Sequence, residues 1–298
     1  MSTLPIALAQ SGSFLFDTPA TLEKLLGELR EAAAGGAKLV VFPEAYLGGY
    51  PKGHDFGARV GSRSPEGRAW FARYHASAVA REGPELAAVA AAVREAGLYC
   101  VLGLIERAGG TLYCVAATFG PEGDILAWRR KLMPTAMERL IWGVGGQADL
   151  GAADTPWGRL SAAICWENYM PLLRQHWYEQ QVALYCAPTV DDREAWLPSM
   201  RMIALEGRCF VLSACQYLER RQAPADFVPV QGDAPDTVLI GGGSCVVGPL
   251  GEVVLAPVFG REALLFAELD LGAIPRGKFD LDVAGHYARP DLFTLSRG

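Results

Sequence analysis

The chain has 298 residues, 51% of them hydrophobic and 20% charged, with a formal net charge of −6. That length can bury a large core, and the acidic excess argues against nucleic-acid or anionic-membrane partners. No apolar run approaches the roughly 20 residues of a membrane helix, and the seven cysteines form no CxxC pair and follow no signal-like N-terminus, so the expectation is a reduced, cytoplasmic protein without disulfides or structural zinc.

In chain order, PIALAQ (5–10) predicts a first strand, and TPATLEKLLGELREAAAGGA a helix capped by Thr18 and stopped at Gly35-Gly36. KLVVFPE (38–44) reads as a buried strand ending at Pro43-Glu44. PELAAVAAAVREAG (84–97) is a Pro-started, Gly-ended helix. YCVLGLIER, TLYCVAATF and DILAWRRK predict three strands joined by a Gly109-Gly110 turn and a GPEG turn. RLSAAIC (159–165) is a strand, MPLLRQHWYEQQ a helix, VALYCAP (182–188) a strand, EAWLPSMRMIALEG a helix and RCFVLSACQ a strand. GGSCVVGPLGEVVLAP predicts a hairpin about Gly248 to Gly251, and EALLFAELD a last strand. Buried helix–strand alternation mixed with hairpins gives an α/β chain whose mixed sheet is covered by helices. Nothing divides residues 1–298, so one domain is expected.

Most motif signals are weak. GVGGQA (143–148) matches a dinucleotide fingerprint in letters only, because no strand precedes it and no helix follows it. HExxH, GxSxG and P-loop patterns are absent. His54, His75, His176 and His286 are scattered, and none sits at a strand end beside a nucleophile. Three strand ends stand out, because loops beyond strand ends carry the sites of α/β folds. They end at Glu44, Lys131 and Cys165: a base, a cation and a nucleophile if they converge. Singly, each has a structural reading. Glu44 can cap a turn, Lys131 can be the last of three exposed basic residues, and Cys165 can be core like Cys100, Cys114, Cys209 and Cys245. Cys186, near the end of its own strand, is the rival thiol.

Taken together, VVFPEAYLGGYPKG, RRKLMPTAMERLIWG and AAICWENYMPLLR resemble the nitrilase branch of the carbon–nitrogen hydrolase superfamily. YCAPTVDDREAWLPSMRMIALEGRCFVLSACQ and GHYARPDLF are similar to it too, so the likeness covers nearly the whole chain. The resemblance implies a four-layer α-β-β-α sandwich, with two mixed sheets packed face to face between helices. It implies a catalytic triad of Glu44, Lys131 and Cys165, with Glu138 as a second glutamate. It also implies no metal, no organic cofactor, and self-association into dimers or larger spiral oligomers. CWEN favours nitrilases over amidases, which more often carry a tyrosine and an aspartate after the cysteine. Gly146 stands where the branch usually has an aspartate, and the chain stops soon after RPDLF, where many relatives carry a tail.

The chemistry fits these groups. A thiolate is a strong, soft nucleophile for a nitrile carbon. A lysine ammonium and backbone N–H groups at Trp166 and beyond, into a helix expected near Tyr169, can stabilise the nitrogen's developing charge. A carboxylate must take the thiol proton and then serve two waters. In a water-like setting that first transfer is uphill by roughly 6 kcal/mol. Burial of Glu44 and a cation beside the thiol are expected to narrow the gap. Tyr50, Trp142, Trp166, Pro188 and Thr189 are the candidate substrate contacts, while Trp196 reads as core. The leading reading is hydrolysis of a nitrile to acid and ammonia. An amide-cleaving or nitrile-hydrating relative is the alternative, and an inactive oligomeric scaffold the third.

Overall fold

The computed structural model describes residues 3–296. In chain order its elements are β1 (Thr3–Gln10), α1 (Thr18–Ala34), β2 (Leu39–Val41), α2 (Pro65–Ser77), α3 (Pro84–Ala96), β3 (Tyr99–Ala108), β4 (Thr111–Phe119), β5 (Ile125–Arg130), β6 (Ala153–Thr155) and β7 (Gly158–Ala162). There follow α4 (Pro171–Glu179), β8 (Val182–Cys186), α5 (Trp196–Gly207), β9 (Phe210–Ser213), β10 (Tyr217–Glu219), β11 (Val238–Val247), β12 (Val253–Phe259), β13 (Ala263–Asp270) and α6 (Ala273–Lys278).

The strands form two mixed sheets. The first runs β13-β1-β2-β3-β4-β5, parallel across β1-β2-β3 and antiparallel elsewhere. The second runs β10-β11-β9-β8-β7-β6, parallel across β7-β8-β9, with β12 paired to β11. Side-chain alternation makes the layers. Leu4, Ile6 and Leu8 of β1 join Leu184 and Cys186 of β8 and Phe210 and Leu212 of β9 in one core between the sheets. Ala7 and Ala9 point the other way, against Leu25 and Leu29 of α1 and Val89 and Val93 of α3. Tyr185 and Val211 point out against Trp177 of α4 and Met200 and Ile203 of α5. The order is therefore helices, sheet, sheet, helices. Among the described residues, no helix is long and apolar enough to cross a membrane.

Three local expectations are corrected. The α1 cap is Asp17, whose Oδ1 accepts the Ala20 N–H at 3.0 Å, while Thr18 Oγ1 donates to the Ser77 carbonyl. The strand predicted to reach Cys165 leaves its ladder after Ala162. Two further bonds, Ala163 N–H to Cys186 O at 2.8 Å and Cys165 N–H to Pro188 O at 2.9 Å, carry the pairing to the thiol. There φ turns to +51°, which ends any extended run. Helix α2 has no counterpart in the sequence reading, because PEGRAWFARYHAS buries only Gly67, Tyr74 and Ser77 and shows little helical periodicity.

One glycine fixes the approach of two segments. Gly103 lies on β3 beneath the turn after β2, where a Cβ would come within 1.9 Å of Pro43 O and 2.8 Å of Glu44 Cα. Gly103→Ala must push that turn away. The expected loss is about 1–3 kcal/mol of stability, measured by urea unfolding.

Candidate active site

Glu44 sits in the turn after β2, its carbonyl accepting the Gln216 side-chain amide at 2.7 Å. Lys131 follows β5 directly; its N–H donates to Cys114 O at 2.7 Å and its carbonyl accepts the Gly145 N–H at 2.8 Å. Both side chains are buried, the lysine to 0% exposure. Its ammonium donates to Glu44 Oε1 at 2.6 Å and to Glu138 Oε2 at 2.7 Å. Glu138 stands on a 3-10 turn (Ala136–Leu140). Its Oε2 also accepts the Thr135 N–H at 2.6 Å, and its Oε1 accepts the Tyr50 hydroxyl at 2.7 Å. The Trp142 ring lies 5.5 Å from the ammonium and packs edge-on against Tyr50.

Cys165 opens the 3-10 turn Cys165–Tyr169 in left-handed backbone, an uncommon state for a residue with a Cβ. The helix proper begins only at Pro171. Trp166 N–H is one of the first amides of the 3-10 turn, which has no earlier carbonyl of its own to bond it.

The electrostatics follow from burial. Desolvation pushes Glu44 up to about 7, opposed by Lys131 and reinforced by Glu138. Burial and then Glu44 push the Cys165 thiol up, and Lys131 opposes this without reversing it. Burial works against the Lys131 charge, but Glu44, Cys165 and Glu138 outweigh it and hold the ammonium well above the ordinary lysine range. The lowering by a nearby cation expected from the sequence is present, but burial outweighs it. Burial thus works against a thiolate at Cys165, and the nearby cation offsets only part of it.

A pair absent from the sequence reading holds the nucleophile's turn. Arg129, on β5, is bidentate to Glu167, two residues after Cys165, at 2.8 and 2.9 Å, both side chains buried. Glu167 also accepts the Ile164 N–H at 2.7 Å and the Leu132 N–H at 2.6 Å. One carboxylate thus binds the residue before the thiol and the residue after the lysine. Asn168 donates to Ala163 O at 3.0 Å and Cys165 O at 2.7 Å, closing the turn.

Above these groups lies a cavity of about 550 Å³, lined by Tyr50, Trp142, Glu138, Cys165 and Trp166 among others. Trp166 is 41% exposed at its mouth. The Trp166 indole donates to Asp191 at 2.8 Å, under the Arg193 guanidinium 4.8 Å away. Lys52, His54, Met137, Leu140, Asp191 and Arg193 also line the wall and were not singled out from sequence. Their loops carry no periodic signal. Pro188 and Thr189 do not line the cavity. They are buried beside Cys165, Pro188 accepting its N–H at 2.9 Å, and Thr189 hydrogen-bonding the Cys165 side chain while its Oγ1 accepts the Asp191 N–H at 2.9 Å. Trp196 is core, its indole bonded to Ser213 at 2.8 Å. Cys186 belongs to the core between the sheets. The space at Gly146 is open, and Asp149 supplies the carboxylate of that loop, accepting the Gly146 and Arg130 amides at 2.7 and 2.9 Å. Among the described residues, no group of three or more His, Cys, Asp or Glu is placed to hold a metal ion.

Glu167→Ala leaves a guanidinium buried and unpaired, at an expected cost of about 3–5 kcal/mol. Arg129→Met combined with Glu167→Leu regains most of that stability, yet strands the Ile164 and Leu132 amides and loosens the thiol. Urea midpoints and iodoacetamide labelling of Cys165 read the two effects separately.

The carbon-nitrogen hydrolase family profile matches residues 5–278. The chain is 53% identical over 295 residues to an aliphatic nitrilase of Sinorhizobium fredii, covering 99% of this chain and 96% of that one. It is 48% identical to a bifunctional nitrilase/nitrile hydratase of Nicotiana tabacum, over 98% of this chain and 85% of that one. It is 46% identical to nitrilase 1 of Arabidopsis thaliana, over 99% and 87%. A carbon-nitrogen hydrolase structure from Helicobacter pylori shares the fold with a TM-score of 0.72 at 19% identity, covering 94% of this chain and 93% of that one. With a profile match across most of its length and close relatives end to end, this chain belongs to the carbon–nitrogen hydrolase family, in its nitrilase branch.

Proposed function

We propose that the protein is a nitrilase, converting an organic nitrile and two waters to a carboxylic acid and ammonia. The observation that carries this reading is the Lys131 ammonium, fixed between two carboxylates near a strained cysteine in a cavity that Tyr50, Trp142 and Trp166 help to line. The Cys165 sulfur attacks the nitrile carbon while Glu44 takes the thiol proton, so the thiolate never stands alone against desolvation. Charge gathers on the nitrile nitrogen, where the Lys131 ammonium and the Trp166 N–H stabilise it; Lys131 delivers a proton, giving a thioimidate, and regains one from Glu44, the proton taken from the thiol, which restores the carboxylate. A first water, deprotonated by Glu44, adds to that carbon. Ammonia leaves and a thioester remains, and a second water releases the acid and restores the thiol. Glu138 keeps Lys131 charged and aimed, and Tyr50 in turn holds Glu138. Tyr50, Trp142 and Trp166 form the wall against the substrate's apolar part.

A hydrating branch point deserves its own measurement, since several relatives near 48% identity are named bifunctional nitrilase/nitrile hydratases. If the tetrahedral adduct expels the cysteine before ammonia, the product is the amide. Self-association is supported by exposed apolar side chains at Leu172 on α4, Met202 on α5 and Phe279, Tyr287, Leu292 and Phe293 near the C-terminus. Seven free, buried cysteines suit the reducing environment of the cytoplasm.

On a panel of aliphatic, aromatic and arylacetonitriles, the wild-type chain is expected to release acid and ammonia in equal amounts. Cys165→Ala abolishes turnover, and Lys131→Arg lowers it at least 100-fold, because a guanidinium is too wide for the site and does not give up a proton. Unchanged ammonia release in Cys165→Ala would end the reading, and amide as the main product would move it to hydration. Activity is expected to fall below pH about 7, as Glu44 gains its proton and can no longer act as base. Sedimentation velocity is expected to show species larger than the 32.0 kDa monomer, and Leu172→Glu combined with Met202→Glu to reduce them.

A further inference from the structure

The base carries a second partner that the mechanism does not use. Cys114, on β4 and fully buried, places its sulfur 3.7 Å from Glu44 Oε1. The same residue's carbonyl accepts the Lys131 N–H at 2.7 Å. Burial, reinforced by Glu44, keeps this thiol protonated, so toward a carboxylate it is a donor. Oε1 therefore accepts two donors, the ammonium at 2.6 Å and the Cys114 thiol. Oε2 is buried and has no hydrogen-bond partner in the protein.

A lone ammonium is a poor orienter of a carboxylate. It is a compact point charge that can bridge both oxygens or follow one of them as the group turns about Cγ–Cδ. A second donor, on another strand and aimed at the same oxygen, removes that freedom. We propose that Cys114 is a positioning residue for the base: its thiol holds Glu44 Oε1 turned away from the substrate, leaving Oε2 as the oxygen that takes protons from Cys165 and from the two waters. The weakness of an S–H donor matters here. It fixes the carboxylate without strongly favouring the charged form, whereas an equally placed hydroxyl or amide would make a poorer base. This inference rests on Glu44 being the base.

Cys114→Ala removes the donor and leaves a small void, and Cys114→Val removes the donor while largely refilling the space. For both full-length variants, kcat and KM on a nitrile and the rate of Cys165 alkylation by iodoacetamide are measured from pH 5 to 9. Thermal melting confirms that each is folded. Both are expected to lose about tenfold in kcat with little change in KM, and to shift the acid limb of kcat/KM and of alkylation upward by about half a pH unit, because a lost hydrogen bond to the carboxylate favours its protonated form. Recovery of the wild-type kcat and acid limb in Cys114→Val overturns the proposal and leaves the thiol a packing role. Wild-type limbs in both variants overturn it as well. A wild-type protein whose Cys165 alkylation shows no acid limb refutes Glu44 as the base, whatever Cys114 does, so the two failures are distinguishable.

Discussion

An ammonium with no access to water organises this molecule. Lys131 is fully buried, and a lone buried ammonium sheds its proton. It keeps its charge because two carboxylates reach it from different directions, Glu44 from the end of β2 and Glu138 from a 3-10 turn seven residues downstream. Neither carboxylate is left to the lysine alone. Glu138 is fastened by the Thr135 amide and the Tyr50 hydroxyl, and the Glu44 backbone by Gln216. The ion cluster is therefore rigid before any substrate arrives. Rigidity of this kind lets a charge act on a transition state without first reorganising.

The cost falls on the nucleophile. The same burial that strengthens Lys131 makes a thiolate at Cys165 unfavourable, and Glu44 adds to the penalty. On the mechanism proposed above, the thiol gives up its proton as its sulfur forms a bond, when the electron pair is already leaving for the substrate. The backbone at Cys165 is held at φ +51°. Covalent geometry and the bonds to Pro188, Glu167 and Asn168 around its turn hold the sulfur in place.

Much of this was legible in the sequence. The strand Leu39–Val41 is short and wholly apolar, and the first charged residue after it, Glu44, belongs to the ion cluster. What local reading could not find was partnership. Arg129 looked like one of three exposed cations, yet it is buried against a carboxylate 38 positions away. No periodicity announces such a pair; only the fold brings the two segments together. Pro188 and Thr189 contact Cys165 without lining the cavity, because strand proximity does not say on which side of the thiol a residue lies. The rim failed differently. Lys52, His54 and Asp191 sit in irregular loops, where side-chain direction depends on turns such as those at Gly48, Gly49 and Gly53, all at positive φ.

The site lies on a seam. Glu44 and Lys131 leave the first sheet, and Cys165 leaves the second. The distance between nucleophile and cation is thus set by how two sheets pack, through Ile6, Leu184, Phe210 and their neighbours. Packed side chains hold a mean spacing but do not by themselves forbid a small slide. The Arg129–Glu167 pair does, since a bidentate contact tolerates little displacement and its carboxylate also holds the amides on both sides of the seam. A buried ion pair is weak evidence of net stability compared with an apolar replacement of the same shape. Its retention here is better explained by register: it fixes one sheet against the other at the point where a displacement of 1 Å would separate the sulfur from the charge that stabilises its product.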